Sequence, residues 1–223
     1  MGKLVVIDGL DGCGKSTQFE LLIKYYTEQG KEVVPISFPD YASDSSALVK
    51  MYLNGDIAKD ATQVNAYAAS SFYAVDRYVN YKKHWETEYK KDNTIILASR
   101  YVTSNAIHQM TKLPKHEWLN YLRWLEDYEY NKLGLPYPDS VIFLDMPVEI
   151  SQKLMTERYN GDESKKDIHE ADVGYLNACR SAALYVAKKR SWCVVKCYEN
   201  DEPLSIETIN QIVRKKIDVR LND

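Results

Sequence analysis

The segment Gly9-Leu-Asp-Gly-Cys-Gly-Lys-Ser16 constrains this chain more than any other, because it fits GxxxxGK[ST] and sits between two legible elements. Lys3 to Asp8 is a short apolar run that reads as a buried strand. Ser16 to Gln29 carries Phe19, Leu22, Ile23 and Tyr26 at helical spacing, and Gly30 ends it. Strand, glycine-rich turn and amphipathic helix in that order make a phosphate cradle. Glycines let consecutive backbone N–H groups turn toward one centre, and the helix dipole adds positive potential there. Gly9, Asp11, Gly12, Cys13, Gly14, Lys15, Ser16 and Thr17 are therefore the candidate ATP-binding residues. Lys15 is expected to reach the β- and γ-phosphates, and the Ser16 hydroxyl to ligate Mg²⁺.

Downstream, short apolar strands alternate with longer helical patterns. Strands are expected at Val33–Phe38, Thr94–Ala98, Val141–Asp145 and Cys193–Cys197. Helices are expected at Ser45–Asn54, from Thr62 to about Lys90, at Lys115–Tyr130, from Pro147 to about Tyr159, and at Ala171–Arg190 and Ser205–Arg220. That alternation predicts an α/β fold, a five-stranded parallel sheet with helices on both faces. Without a linker-like Gly, Ser or Pro run, residues 1–223 read as a single domain. The polar stretch from Thr156 to Glu170 lacks periodicity and carries Arg158, Lys165 and Lys166, so a lid is expected at about 156–171.

A phosphate cradle names a nucleotide but no reaction. The chain has no NKxD guanine reader, and Asp145 in Val-Ile-Phe-Leu-Asp lacks the second acidic residue of a motor's metal-binding strand. With 29 Lys and Arg against 32 Asp and Glu, the net charge is −3, which argues against a nucleic-acid partner. No apolar run reaches the roughly 20 residues of a membrane span. Cys13, Cys179, Cys193 and Cys197 form no CxxC pair, which predicts a reduced, cytoplasmic protein with no membrane partner. Arg and Tyr clusters on loops then favour a small-molecule phosphotransferase.

Six motifs in order resemble those of the thymidylate (dTMP) kinases over nearly the whole chain. These are Asp8-Gly-Leu-Asp-Gly-Cys-Gly-Lys-Ser-Thr17, Phe38-Pro-Asp-Tyr41, Tyr73-Ala-Val-Asp-Arg77, Ser99-Arg-Tyr-Val-Thr-Ser-Asn105-Ala-Ile-His-Gln109, Gly134-Leu-Pro-Tyr-Pro-Asp139 and Asp167-Ile-His-Glu170. The resemblance implies a nucleoside monophosphate kinase fold, ATP and Mg²⁺ as cofactors, dTMP as small-molecule substrate, and a homodimer built through helices beside the sheet. Two positions depart from the pattern. Ser99 stands where the family has an acidic residue that orients the phosphate-binding arginine, and His108 where it has a tyrosine that excludes a ribose 2′-OH.

The resemblance also implies roles. Tyr73 and Arg77, four apart on one helix face, would stack on the base and donate to its O4, with Asp76 either orienting Arg77 or paired in solvent. Asn105 and Gln109 present carboxamides to N3–H and the carbonyl oxygens. Arg100, at a strand end, would grip the monophosphate with Arg77 and Tyr41; Phe38, Ser104 and His108 complete the substrate set. Asp11 joins Ser16 as a metal-associated group, and the loop near Glu199 to Pro203 covers adenine. Transfer would rest on Lys15, Arg100, Arg158, Lys165 and Lys166. Other readings remain open at this stage: a kinase for another monophosphate, a deoxynucleoside kinase using Asp8 or Asp40 as base, or a non-catalytic nucleotide-binding protein.

Overall fold

In the computed structural model, residues 1–58, 63–158 and 172–222 are described. Lys3–Gly9 forms β1, and every residue after Lys3 in it is buried. Its side chains alternate between two cores. Leu4 and Val6 enter a cluster with Trp85, Tyr101 and Leu122, while Val5 and Ile7 enter another with Leu22, Leu144 and Val213. A strand buried on both faces has no polar position to give up, which is why it reads as a continuous apolar run.

The remaining strands are β2 (Glu32–Ser37), β3 (Thr94–Ser99), β4 (Ser140–Asp145) and β5 (Cys193–Lys196), and the parallel sheet runs β2-β3-β1-β4-β5. This is the five-stranded architecture expected. Helices α1 (Lys15–Glu28), α2 (Ala47–Leu53), α3 (Ala66–Asn80), α4 (Glu86–Tyr89), α5 (Val102–His108), α6 (Trp118–Glu126), α7 (Val148–Arg158), α8 (Val173–Arg190) and α9 (Ile206–Asn222) cover both faces. The long helix expected from Thr62 is α3, a π-helical turn at Tyr81–Trp85 and α4 in succession. It starts at Ala66 because the Asn65 side chain accepts the Ala68 N–H and caps it. Past α6 the chain widens into a second π-helical turn, Asp127–Lys132. Two elements were absent from the expected order: helix α5, and the two-residue strands β6 (Tyr198–Glu199) and β7 (Glu202–Pro203), which pair antiparallel around Asn200 and Asp201, both at positive φ.

All five parallel strands deliver their carboxyl ends to one edge, where ligands bind in open α/β sheets. The P-loop leaves β1 there, Phe38 leaves β2 and Arg100 leaves β3. Most of the expected lid, residues 159–171 with Lys165 and Lys166, lies outside the described residues.

Candidate active site

At that edge the turn after β1 is built by close approach. A Cβ on Gly12, at φ +76°, would stand 2.6 Å from the Ser151 carbonyl oxygen and 2.8 Å from Met155 Cγ. Helix α1 then begins behind Gly14 with no side-chain cap, so its first N–H groups are left for a ligand. Lys15 Nζ rests 3.4 Å from the Gly9 carbonyl oxygen. Burial and the neighbouring Arg100 charge both lower the Lys15 pKa. Two cations so close need an anion between them.

A cleft of about 380 Å³ opens from the P-loop toward α3 and α5. Twelve of the candidate residues line it: Asp11, Lys15 and Ser16 from the P-loop, Phe38 and Tyr41 after β2, Tyr73 and Arg77 on α3, and Arg100, Ser104, Asn105, His108 and Gln109 after β3. Gly9, Gly12, Cys13, Gly14 and Thr17 complete the loop beside it, and Arg158 ends α7 on the surface. A second cavity of about 290 Å³, between α6 and α8 at the opposite edge, carries none of the candidates.

The end of the cleft beside the P-loop centres on Arg100. Its backbone sits at φ 65°, a left-handed conformation that costs a residue with a side chain about 1–2 kcal/mol and concentrates at functional sites. The Arg100 N–H is anchored on the Ile7 carbonyl. The guanidinium donates to Asp11 Oδ1 at 2.5 Å and to His108 Nε2 at 3.0 Å. Arginine has no lone pair to offer, so Nε2 accepts and the neutral ring carries its proton on Nδ1, 3.2 Å from the Tyr175 hydroxyl. Burial raises the Asp11 pKa, but the Arg100 and Lys15 charges outweigh it and bring it to about 2.

The end of the cleft toward α3 and α5 presents a pattern of donors and acceptors. Arg77 is fully buried, donating from Nε and Nη2 to the two oxygens of Glu129 at 2.6 Å each. Among the described residues its Nη1 reaches only the Tyr101 carbonyl, at 3.4 Å. Asn105 spends both amide protons, on the Ser70 carbonyl and Glu129 Oε1, and so offers the cleft only its Oδ1. Gln109 is 95% buried, and its Oε1 has no hydrogen-bond partner among the described residues. An orphan buried acceptor costs about 1–3 kcal/mol unless a ligand supplies the donor. Tyr73 lines the same space and meets Tyr52 edge-on at 6.4 Å, while Phe72 packs against the same Tyr52 cluster without lining the cleft.

Several expectations need correction. Asp76 neither orients Arg77 nor faces solvent: it is buried, accepting the Asp40 N–H and the Ser45 hydroxyl, and thereby pins the loop after β2. Arg77, expected to help grip the monophosphate, has its charge paired with Glu129. Ser104 donates its hydroxyl to Asp8 Oδ2, as Thr103 does, so it shapes the cleft with its proton already used. Those two bonds and the Gly9 N–H occupy Asp8, and Asn80 and the Ala42 N–H occupy Asp40. Neither carboxylate lines the cleft. Asp145 is clamped by Arg180 through Nε and Nη2.

Sequence reasoning missed Glu129 and Tyr175. Glu129 continues the apolar stripe of Trp118, Leu122 and Leu125 at helical spacing, and an acid on such a stripe is the signal that was available. Tyr175 stands four residues before Cys179 on the inward face of α8.

A mononucleotide-sized cleft, with a P-loop at one end and a fixed arginine facing it, defines a P-loop phosphotransferase that acts on a small phosphorylated acceptor. Its lineage is narrower than that. The family model for thymidylate kinase matches residues 7–205, and the chain belongs to that family. A thymidylate kinase from Mycobacterium tuberculosis is 28% identical over 187 residues, covering 82% of this chain and 83% of the relative. One from Thermosipho melanesiensis is 26% identical over 216 residues, covering 96% and 98%. Among solved structures, thymidylate kinase from Candida albicans superposes with a TM-score of 0.72 at 19% identity over 99% of this chain and 93% of that one, a likeness of fold.

Proposed function

We propose that this enzyme transfers the γ-phosphoryl group of ATP to the phosphate of dTMP, giving dTDP and ADP. An oxygen of the acceptor phosphate attacks phosphorus, and the bond from the γ-phosphorus to its bridging oxygen breaks, releasing ADP. With its second pKa near 6, the acceptor is already a nucleophile at neutral pH, and no general base is needed. Lys15 and the free N–H groups at the start of α1 hold the donor phosphates, and Arg100 holds the acceptor in line. Mg²⁺, when bound, neutralises charge on the donor phosphates. Ser16, exposed at the cradle, and the Asp11 oxygen not used by Arg100 fit an ion that takes few protein ligands beside phosphates and water. Arg158, Lys165 and Lys166 would add charge from a lid over 156–171 within one domain, and the β6–β7 hairpin would cover adenine.

The observation that carries the base assignment is the buried Gln109 Oε1, without a partner among the described residues, in the same cleft as the Arg77 guanidinium. An acceptor next to a donor complements the N3–H and O4 of thymine, with Tyr73 at the ring face. Cytosine presents the reverse pattern, an N3 acceptor and an N4 donor. Specificity constants for dTMP, dUMP, dCMP and the purine monophosphates, read by ADP release, test this. The expected order is dTMP, then dUMP, with dCMP about 10³-fold or more below dTMP. Equal use of dCMP and dTMP would remove the assignment.

Exposed Leu48 and Met51 on α2, with Val75 and Tyr78 on α3, make an apolar face suited to a homodimer. Sedimentation of the native protein and of Val75→Asp would test it, the first as dimer and the second as monomer. The four free cysteines suit a reducing, cytoplasmic setting. Among the described residues no helix is long and apolar enough to cross a membrane.

A further inference from the structure

The site holds two arginines, and the chain treats them differently. Arg100 is partly exposed and its carboxylate partner Asp11 is more so, with side chains 18% and 29% exposed. Arg77 and Glu129 are 1% and 0% exposed, and their carboxylate–guanidinium contact is bidentate. Glu129 also accepts from Asn105, so one carboxylate fixes two of the groups that line the base end of the cleft. It is carried on the π-helical turn after α6, where the widened backbone sets its position apart from that of a regular helix.

We propose that Glu129 is the positioning residue that determines base specificity, by holding Arg77 and Asn105 in register with a pyrimidine and by cancelling the Arg77 charge so that this end of the cleft takes a neutral base edge and not a phosphate. The inference rests on the reading of Arg77 as donor to the base. A buried guanidinium without its counter-charge would draw the dianionic end of the substrate and compete with Arg100 for it. With Nε and one Nη2 proton spent on Glu129 and one Nη1 proton on the Tyr101 carbonyl, one proton on each terminal nitrogen remains for a ligand, held in one orientation. The two amide protons of Asn105 are likewise fixed inward, so the cleft meets its oxygen.

Glu129→Gln keeps the shape and removes the charge and one acceptor. The expected result is a 10–100-fold fall in kcat/KM for dTMP, carried by KM, since displacement of a positioning group by about 1 Å is worth that much. The kcat at saturating dTMP and the KM for ATP should stay within about twofold. The dTMP-to-dCMP ratio should fall at least tenfold, and inorganic phosphate should inhibit competitively against dTMP at lower concentration than in the native enzyme. Equal losses for dTMP and dCMP, with unchanged phosphate inhibition, would mean a purely structural ion pair and would overturn the proposal. Arg77→Leu, measured beside it, separates the two layers. If Arg77→Leu compresses the ratio and Glu129→Gln does not, Glu129 is not the determinant and the Arg77 reading stands; if neither does, the Arg77 reading itself falls. Should Glu129→Gln fail to fold, Glu129→Asp retains the charge while withdrawing it by one methylene. A native ratio in that variant overturns the proposal, and a compressed ratio with a native melting temperature supports it.

Discussion

Asp11→Asn isolates the ion pair at the phosphate end, and its consequence can be worked from the structure. The native Asp11 carboxyl sits at about 2, against a usual value of 3.8. Its folded-state pKa is depressed, so it contributes stability that is complete above its unfolded pKa and is lost as pH falls toward the folded value. A displacement of a little under two pH units corresponds to about 2 kcal/mol at neutral pH, at 1.36 kcal/mol per unit. With 29% of the side chain exposed, solvent screening makes that the upper end. Roughly half of it, about 1 kcal/mol, should be gone by pH 3. Asparagine preserves size and cannot titrate, so the stability difference between native and variant follows this one group while every other carboxylate cancels. Urea unfolding followed by tryptophan fluorescence at steps from pH 7 to pH 3 measures it. The difference should be flat above pH 5 and shrink by about 1 kcal/mol below. A difference independent of pH would refute the pairing of Asp11 with Arg100 in solution.

Lys15→Ala should lower transfer about 10³-fold or more with little change in melting temperature, because Nζ makes only a 3.4 Å contact with Gly9; single-turnover transfer and a thermal scan check both halves. Gly12→Ala and Gly14→Ala separate backbone strain from collision: both have φ near +80°, but only Gly12 has neighbours in the way of a Cβ. Denaturation should find Gly14→Ala costing about 1–2 kcal/mol and Gly12→Ala distinctly more, and equal costs would contradict the packing against Ser151. Among the cysteines, alkylation of the native protein should reach half-buried Cys193 first, while Cys179, whose thiol burial pushes up to about 12, stays unmodified until unfolding.

What could be read from the sequence was whatever is local along the chain. The P-loop is eight consecutive residues between a strand and a helix, and β1, β3 and β4 announce themselves because burial on both faces leaves their middles continuous apolar runs, with polar residues only toward the ends. Arg100 and the Asn105–Gln109 pair were legible for the same reason, a strand end followed by one short helix. Glu129 was not, because its meaning lies 52 positions away on α3 and its own neighbourhood of Glu126 and Asp127 reads as a charged surface. Asp76 was misread for the converse reason. Adjacent to Arg77 in sequence, it points off the helix in another direction and meets the loop after β2 instead. The β6–β7 hairpin escaped because two-residue strands carry no periodicity, though Asn200-Asp201 is turn chemistry tolerant of positive φ.

If Arg77 faces the base and Arg100 the phosphate, as proposed, the two ion pairs give the cleft a means of sorting the two ends of one molecule. Separating a fully buried pair strands a charge and costs about 3–5 kcal/mol, whereas an exposed pair is worth about 1 kcal/mol or less. Arg77 and Glu129 stand at the buried limit, and Arg100 and Asp11 lie between the two. An incoming phosphate dianion can therefore exchange with Asp11 for the Arg100 fork, a charge-for-charge trade at a solvent-reached position. It cannot displace Glu129 without leaving that carboxylate uncompensated in the core. The released Asp11 lies next to Lys15 and near Ser16, where the donor phosphates and their cation would be. On the proposed reading, phosphate would be steered to Arg100 and a neutral ring to Arg77 by the difference in burial, before any hydrogen bond to the base is counted.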